Sequence, residues 1–246
     1  MTKNPRWGAR TAPEVGDALA GGAVVLLPVG ATEQHGPHLA SGADSLFAEE
    51  VALAAASRTD DLVLPTVAYG CSLGHTEKWP STISLSPSTL MTLVLEIGRW
   101  AFASGARRLL MLNGHATNGP PCESALLQLR YEIPELRLKF ISLFDLSDEI
   151  AASYKQDASD FHANEAETSL MLHLAEDLVS VEDAVDEADR TEGLVLQYPM
   201  PAVSSSGVVG TPSLASAERG RRLFEKLVFA LTDLLVRIRA EKDPVL

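Results

Sequence analysis

The stretch VVLLPVGATEQHGPHLASGAD, residues 24 to 44, passes without a break from an apolar run into Glu33, His35, His38 and Asp44. Its first part, VVLLPVG at 24 to 30, has no polar alternation, so it reads as a strand buried on both faces. Charged groups that follow so buried a segment must be paired, neutralised or bound to something. The run 18 to 31 is the only one that could pass for a secretory apolar region. It follows Glu14 and Asp17, contains Gly21, Gly22 and Pro28, and leads into the polar cluster, so it reads as an internal strand. No run approaches the roughly 18 apolar residues of a transmembrane helix.

Working outward, strands and helices alternate. SLFAEEVALAAASR (45 to 58), rich in alanine, leucine and glutamate, predicts a helix, and LVLPTVAYG (62 to 70) a second strand. LMTLVLEIGRWAFASG (90 to 105) predicts a helix closed by a glycine, and RRLLMLNG (107 to 114) a third strand. A helix opens near Pro120 and Pro121, because proline suits a first helical turn. LRLKFISLF (136 to 144) is the fourth strand, and EAETSLMLHLAED (165 to 177) a further helix. Glycine, proline and serine from about Arg190 to Pro212 predict a long loop, and LFEKLVFALTDLLVRIRA (223 to 240) an amphipathic helix. Apolar strands interleaved with helices predict an α/β fold whose parallel sheet is covered on both faces. With no repeat or linker, one domain over residues 1–246 is expected.

Composition narrows the partners. A chain of 246 residues, 46% apolar and 22% charged, has ample material for a core. Its 33 acidic against 20 basic residues give a net charge of −13, which opposes nucleic acid and anionic membranes. Cys71 and Cys122 offer neither a disulfide framework nor a zinc knuckle, and suit a reducing cytoplasm.

In parallel sheets, ligands collect at the carboxyl ends of the strands. Glu33 and His35 follow the first strand and, two apart in extended chain, project to one side; His115 follows the third strand in NGHATNG. On helix 165 to 177, Glu167 shares a stripe with Leu170, Met171, Leu174 and Leu178, whereas Glu165 and Glu176 lie off it. Asp44 aligns likewise with Phe47, Val51 and Ala54. A buried carboxylate costs several kcal/mol unless compensated, and a divalent cation compensates it economically. Glu33, Asp44 and Glu167 bring three negative charges; with a bridging hydroxide they balance two divalent ions. Mixed imidazole and carboxylate ligation suits zinc, manganese or iron without choosing among them.

LPVGATEQHGPHL, Asp44 nine residues after His35, YG followed by WPSTISLSP, NGHATN and HANEAETS together resemble the creatininase family of amidohydrolases. The resemblance implies a three-layer α/β/α sandwich, a two-metal centre, hydrolysis of C–N bonds in cyclic or formyl amides through a metal-bridging hydroxide, and homo-oligomers, a hexamer among them. It implies metal ligation by Glu33, His35, Asp44 and His115, with Asp44 bridging, and proton transfer by His162. Where creatininase itself carries a glutamate ligand two residues after the histidine matching His115, this chain has Thr117. That departure speaks against creatinine as substrate. It brings the chain nearer to the formamide deformylases and the mycofactocin-precursor peptidases, in which the glutamate matching Glu167 completes the site. Gly74 stands where many relatives show glutamate, and Ser81 replaces a glycine.

Each residue also has a plainer reading. Asp44 alone would be a helix N-cap, Glu33 and His35 a surface turn, and Glu167 a first-turn carboxylate favoured by the helix dipole. His38 reads as an outer partner that holds the loop or orients a ligand. His75 reads equally as a substrate contact or a turn residue, Trp79 and Tyr69 as pocket walls or core, and His173 as a solvated surface residue. A Cys71–His75 thiol nucleophile has no supporting environment. Three functions follow: a metal-dependent amidohydrolase acting on a small cyclic amide, imide or formamide; a peptidase trimming a precursor peptide; and a noncatalytic ligand-binding protein on the same fold.

Overall fold

The computed structural model describes residues 4–75, 78–242 and 244. In chain order its elements are α1 (Ala12–Ala20), β1 (Val25–Val29), α2 (Ala43–Thr59), β2 (Leu62–Val63), α3 (Pro87–Ala103) and β3 (Arg108–Asn113), then α4 (Gly119–Glu132), β4 (Arg137–Ser142), α5 (Asp148–Tyr154), α6 (Glu165–Leu174), α7 (Met200–Val203) and α8 (Ala217–Ala240). The strands form one parallel sheet in the order β2-β1-β3-β4, in which Val25 to Val29 pair with Leu109 to Asn113.

The alternation of a strand divides the core into two layers. Val24, Leu26, Leu110 and Leu112 face a cluster built from Phe47 and Val51 of α2, Leu170 and Met171 of α6, and Leu227 and Leu231 of α8. Val25, Leu27, Leu109 and Met111 face the other side, where Leu90 and Val94 of α3 pack with Cys122 and Leu129 of α4. The result is the expected α/β/α sandwich, with apolar side chains buried above and below each central strand. Among the described residues, no helix is long and apolar enough to cross a membrane.

Three boundaries differ from the sequence reading. The strand expected over 62 to 70 keeps its ladder only at Leu62–Val63. Leu64 N–H still meets Leu26 O at 2.9 Å, but Pro28 offers no N–H from β1; the chain leaves the sheet there and returns at Val67, whose N–H meets Pro28 O at 3.0 Å. The helix expected over 165 to 177 ends at Leu174, and a 3-10 turn, Glu176–Leu178, takes over. The loop expected from Arg190 to Pro212 contains the short α7. The sequence reading also passed over α1 and α5, each entered through a capping residue: Thr11 with Glu14 in a capping box, and Ser147, whose side chain accepts from Ile150 N–H.

A candidate metal centre at the carboxyl edge of the sheet

The loops leaving β1 and β3 and the first turns of α2 and α6 meet above the sheet. Asp44 does not cap α2: its N-cap is Gly42, and no side chain caps the helix. Instead α2 starts hard against the end of β3, because a Cβ on Gly114 would overlap the Asp44 carbonyl oxygen. Only glycine permits that approach, and it sets His115, the next residue, beside Asp44: His115 Nδ1 lies 3.2 Å from Asp44 Oδ2. Asn113 clamps the same turn, donating from its amide to His115 O at 2.7 Å and accepting from His115 N–H at 3.1 Å. Asn118 ties three loops together, accepting from Cys71 N–H at 2.8 Å and donating to Gly30 O at 2.9 Å.

The expected ligands converge. Glu33, His35, Asp44, His115 and Glu167 are all buried. His115 Nε2 lies 3.1 Å from Glu33 Oε2, and His35 Nε2 lies 3.2 Å from Asp44 Oδ1. Ligand-capable atoms gather into Glu33, Asp44 and His115 on one side and His35, Asp44 and Glu167 on the other, with Asp44 common to both. A third grouping joins Glu33, His35 and His162. Both oxygens of Glu33, Asp44 Oδ2 and His35 Nε2 are buried and make no hydrogen bond, as donor atoms aimed at a cation would be. The oxygen and imidazole nitrogen set therefore fits divalent metal ions.

Electrostatics agree with that fit. Burial opposes a charge on His35 and His115, but Asp44 and the neighbouring carboxylates overcome it, holding His35 up to about 10 and His115 up to about 9. Burial likewise opposes ionisation of Asp44, and His35 and His115 reverse this to leave it well below the usual carboxylate range. Glu167 goes the other way: burial, with Asp44 and Glu33 adding, raises it to about 7 against the pull of His35 and the Ala163 N–H. In the absence of metal, protons on His35 and His115 balance the acids, and a cation would displace them.

Glu167 sits in the first turn of α6 with its carboxylate in the cluster. Asn164 caps α6, while Glu167 Oε2 accepts from Ala163 N–H at 2.6 Å, leaving the rest of the carboxylate to the cluster. Ala163 holds a left-handed φ of 50°, a strain placed between His162 and Asn164. His38 supports the same helix start, its Nε2 lying 2.9 Å from Thr168 Oγ1. Burial and His35 lower His38 to about 4, keeping it neutral.

His162 and His75 border the cluster through Glu33 Oε1, at 3.6 and 3.3 Å from their Nδ1 atoms. Burial, reinforced for His162 by His35 and His75, depresses both imidazoles. Trp79 stands 6.5 Å from the His75 ring, and Thr117 Oγ1 lies 2.7 Å from His115 Nε2. Tyr69 is 51% exposed. Ser81 keeps a left-handed φ of 80°, the conformation glycine adopts freely.

One reading is corrected. His173 is half-buried, its ring 5.5 Å from Phe224 of α8, because α8 covers the side of α6 expected to face water. Glu165, off the apolar stripe, is buried for the same reason, accepting from Ser169 Oγ at 2.8 Å beside Arg219. The sequence reading missed Gln34. The loop over 33 to 41 folds back and brings its amide within 3.1 Å of His75 and 3.0 Å of His162.

Fold and site together define the class: an α/β/α protein with a buried candidate metal centre at the carboxyl edge of its sheet. The chain belongs to the creatininase family, whose model, described as creatinine amidohydrolase, matches residues 9–235. It is 33% identical to the mycofactocin precursor peptide peptidase of Mycolicibacterium smegmatis over 91% of this chain and 88% of that one. It is 34% identical to the creatinine amidohydrolase of Pseudomonas putida over 92% of both. Its structure matches a crystal structure of creatininase with a TM-score of 0.86 at 31% identity, covering 98% of this chain and all of that one (100%). A manganese creatininase structure gives 0.85 at 32%, over 96% and 98%.

Proposed function

We propose that the protein is a divalent-metal-dependent amidohydrolase that cleaves a C–N bond in a small cyclic amide, imide or formamide. The observation that carries this reading is the pair of ligand groupings that share Asp44, with His162 alongside. Glu33, Asp44 and His115 would hold one ion, and His35, Asp44 and Glu167 a second. Zinc, manganese or iron in these positions supplies Lewis acidity, polarising an amide carbonyl and making water nucleophilic near neutral pH.

The remaining chemistry belongs to the chain. His162 Nε2 lies 2.8 Å from Gln34 O, which can only accept, so the resting proton sits on Nε2. Nδ1, on the Glu33 side, is then free to take up a proton and pass it to the departing nitrogen. Glu167, with one oxygen held by Ala163 N–H, keeps its carboxylate fixed. Trp79 and His75 would wall the substrate, with Thr117 at the edge. His75, His115 and His162 are each under 10% exposed, at 8%, 7% and 7%, and such enclosure favours a compact substrate over an extended chain.

A peptidase acting on a precursor peptide is the second reading, favoured by the relatives named for that activity and by Thr117 at position 117. Mass spectrometry of products, after zinc- or manganese-loaded protein is incubated with lactams, imides, formamides and short peptides, separates the two. Turnover of the small amides alone supports the first reading, and cleavage of the peptides alone replaces it. Protein that carries no metal and hydrolyses neither would be a binding protein on the same fold.

A further inference from the structure

Gln34 lies between two proposed metal ligands, and its side-chain amide reaches the two imidazoles that border Glu33. Its amide has one orientation consistent with its neighbours. Oε1 accepts from Gly36 N–H at 2.9 Å, so Nε2 must be the atom beside His75 Nδ1 at 3.1 Å, His162 Nε2 at 3.0 Å and Gly207 O at 3.2 Å. Reversing the amide would set two donors against each other at Gly36 and two acceptors at Gly207.

Two hydrogens on Nε2 therefore face three neighbours. His162 Nε2 is excluded as an acceptor, since it already donates to the backbone carbonyl of Gln34 at 2.8 Å. The hydrogens go to Gly207 O and His75 Nδ1. Glu33 Oε1 competes for His75 Nδ1 at 3.3 Å but makes no hydrogen bond, being out of line with the ring. We infer that Gln34 is a positioning residue: its backbone carbonyl fixes His162 with the proton on Nε2, its side-chain amide engages the Nδ1 lone pair of His75 and so fixes that ring with the proton on Nε2, and the Nδ1 lone pair of His162 is left on the Glu33 side. Space enforces the arrangement, because a Cβ on Gly207 would overlap the Gln34 amide. Thus the loop over 204 to 208 is fitted to this side chain.

The inference rests on His75 and His162 lining the active site, but its test reads the rings themselves. Long-range proton–nitrogen NMR of zinc-loaded, ¹⁵N-histidine-labelled protein at one fixed pH distinguishes a protonated ring nitrogen from one with a free lone pair. In the wild type, both rings should show a protonated Nε2 and an unprotonated Nδ1. In Gln34→Met, which keeps the length and removes the donor, His75 should lose that pattern while His162, held by backbone, retains it. In Gln34→Glu, which can only accept, His75 should carry a proton on Nδ1. Metal content should match wild type in both variants, and kcat should fall at least tenfold with KM within about twofold. A protonated Nδ1 on either ring of the wild type overturns the inference, even if neither variant folds. So does a His75 pattern unchanged in Gln34→Met. Loss of metal from the wild type would instead refute the hydrolase reading and leave the tautomers to the same spectra.

Discussion

At the scale of single residues, Asp44 and His162 should fail differently. Asp44 belongs to both ligand groupings, so Asp44→Asn removes charge from both positions at once. Changes to outer partners of a metal site cost about 10- to 100-fold in affinity; loss of a shared ligand should exceed that. Metal analysis of purified Asp44→Asn should find neither ion, and stoichiometric metal there would remove Asp44 from the centre. His162→Ala should keep its metal and lose about 10²- to 10⁴-fold in turnover, the usual contribution of a positioned proton carrier. Wild-type turnover in that variant would reassign the proton transfer.

Residue by residue, the sequence reading reached Glu33, His35 and His115 because each follows a strand directly, and strand ends in a parallel sheet share one edge. Asp44 and Glu167 were reachable through helical spacing. Gln34 was not, because its position depends on the loop over 33 to 41 folding back rather than staying extended, as the 2.9 Å bond from Glu33 N–H to Ser41 O shows. Nor could periodicity reveal that α8 would cover His173 and Glu165.

At the scale of elements, the contact between α6 and α8 sets the position of Glu167. Gly220 of α8 sits directly on the Ser169 carbonyl of α6. Helix propensity alone favours Gly220→Ala by about 1 kcal/mol. The new methyl group would overlap Ser169 O, and overpacking of this kind costs about 1 to 3 kcal/mol or more. Steric overlap should win: thermal unfolding of Gly220→Ala should start lower than wild type, whereas a higher midpoint would show that the helices can separate at no cost.

The loop that carries Gly207 has its own anchor. Glu187, 7% exposed, accepts from Ser206 Oγ at 2.5 Å, Ser205 N–H at 2.8 Å, Ser206 N–H at 2.9 Å and Ser204 Oγ at 3.0 Å. Burial alone would raise its pKa, but these donors overcome it and lower it to about 2 from the ordinary 4.5. A carboxylate depressed by folding contributes stability that is complete above the unfolded pKa and is lost as pH falls through the folded one. Glu187→Gln should therefore cost about 1.5 to 3 kcal/mol at pH 7, the range for hydrogen bonds to a charged group. That difference should shrink between pH 4.5 and about 2. Denaturant unfolding across that window checks it, and a constant difference would assign the stability to packing.

At the scale of the whole molecule, the sandwich turns a chain of scattered polar motifs into one buried cluster. Its strand order was not legible from the sequence. Periodicity gives the strands and helices, but the sequence β2-β1-β3-β4 depends on which strand pairs with which. The shortness of β2 was not legible, because the missing donor on Pro28 matters only once β1 and β2 are known to be neighbours. With β1 and β3 at the centre, Glu33 and His115 emerge from adjacent strands, and the helices on one face deliver Asp44 and Glu167.

The central claim is that this cluster chelates a pair of divalent cations. Anomalous diffraction from crystals grown with zinc or manganese tests it most directly. Two peaks should appear, one among Glu33, Asp44 and His115 and one among His35, Asp44 and Glu167, both within bonding distance of Asp44. Crystals with the cluster free of anomalous signal, or with metal only at surface carboxylates, would contradict it.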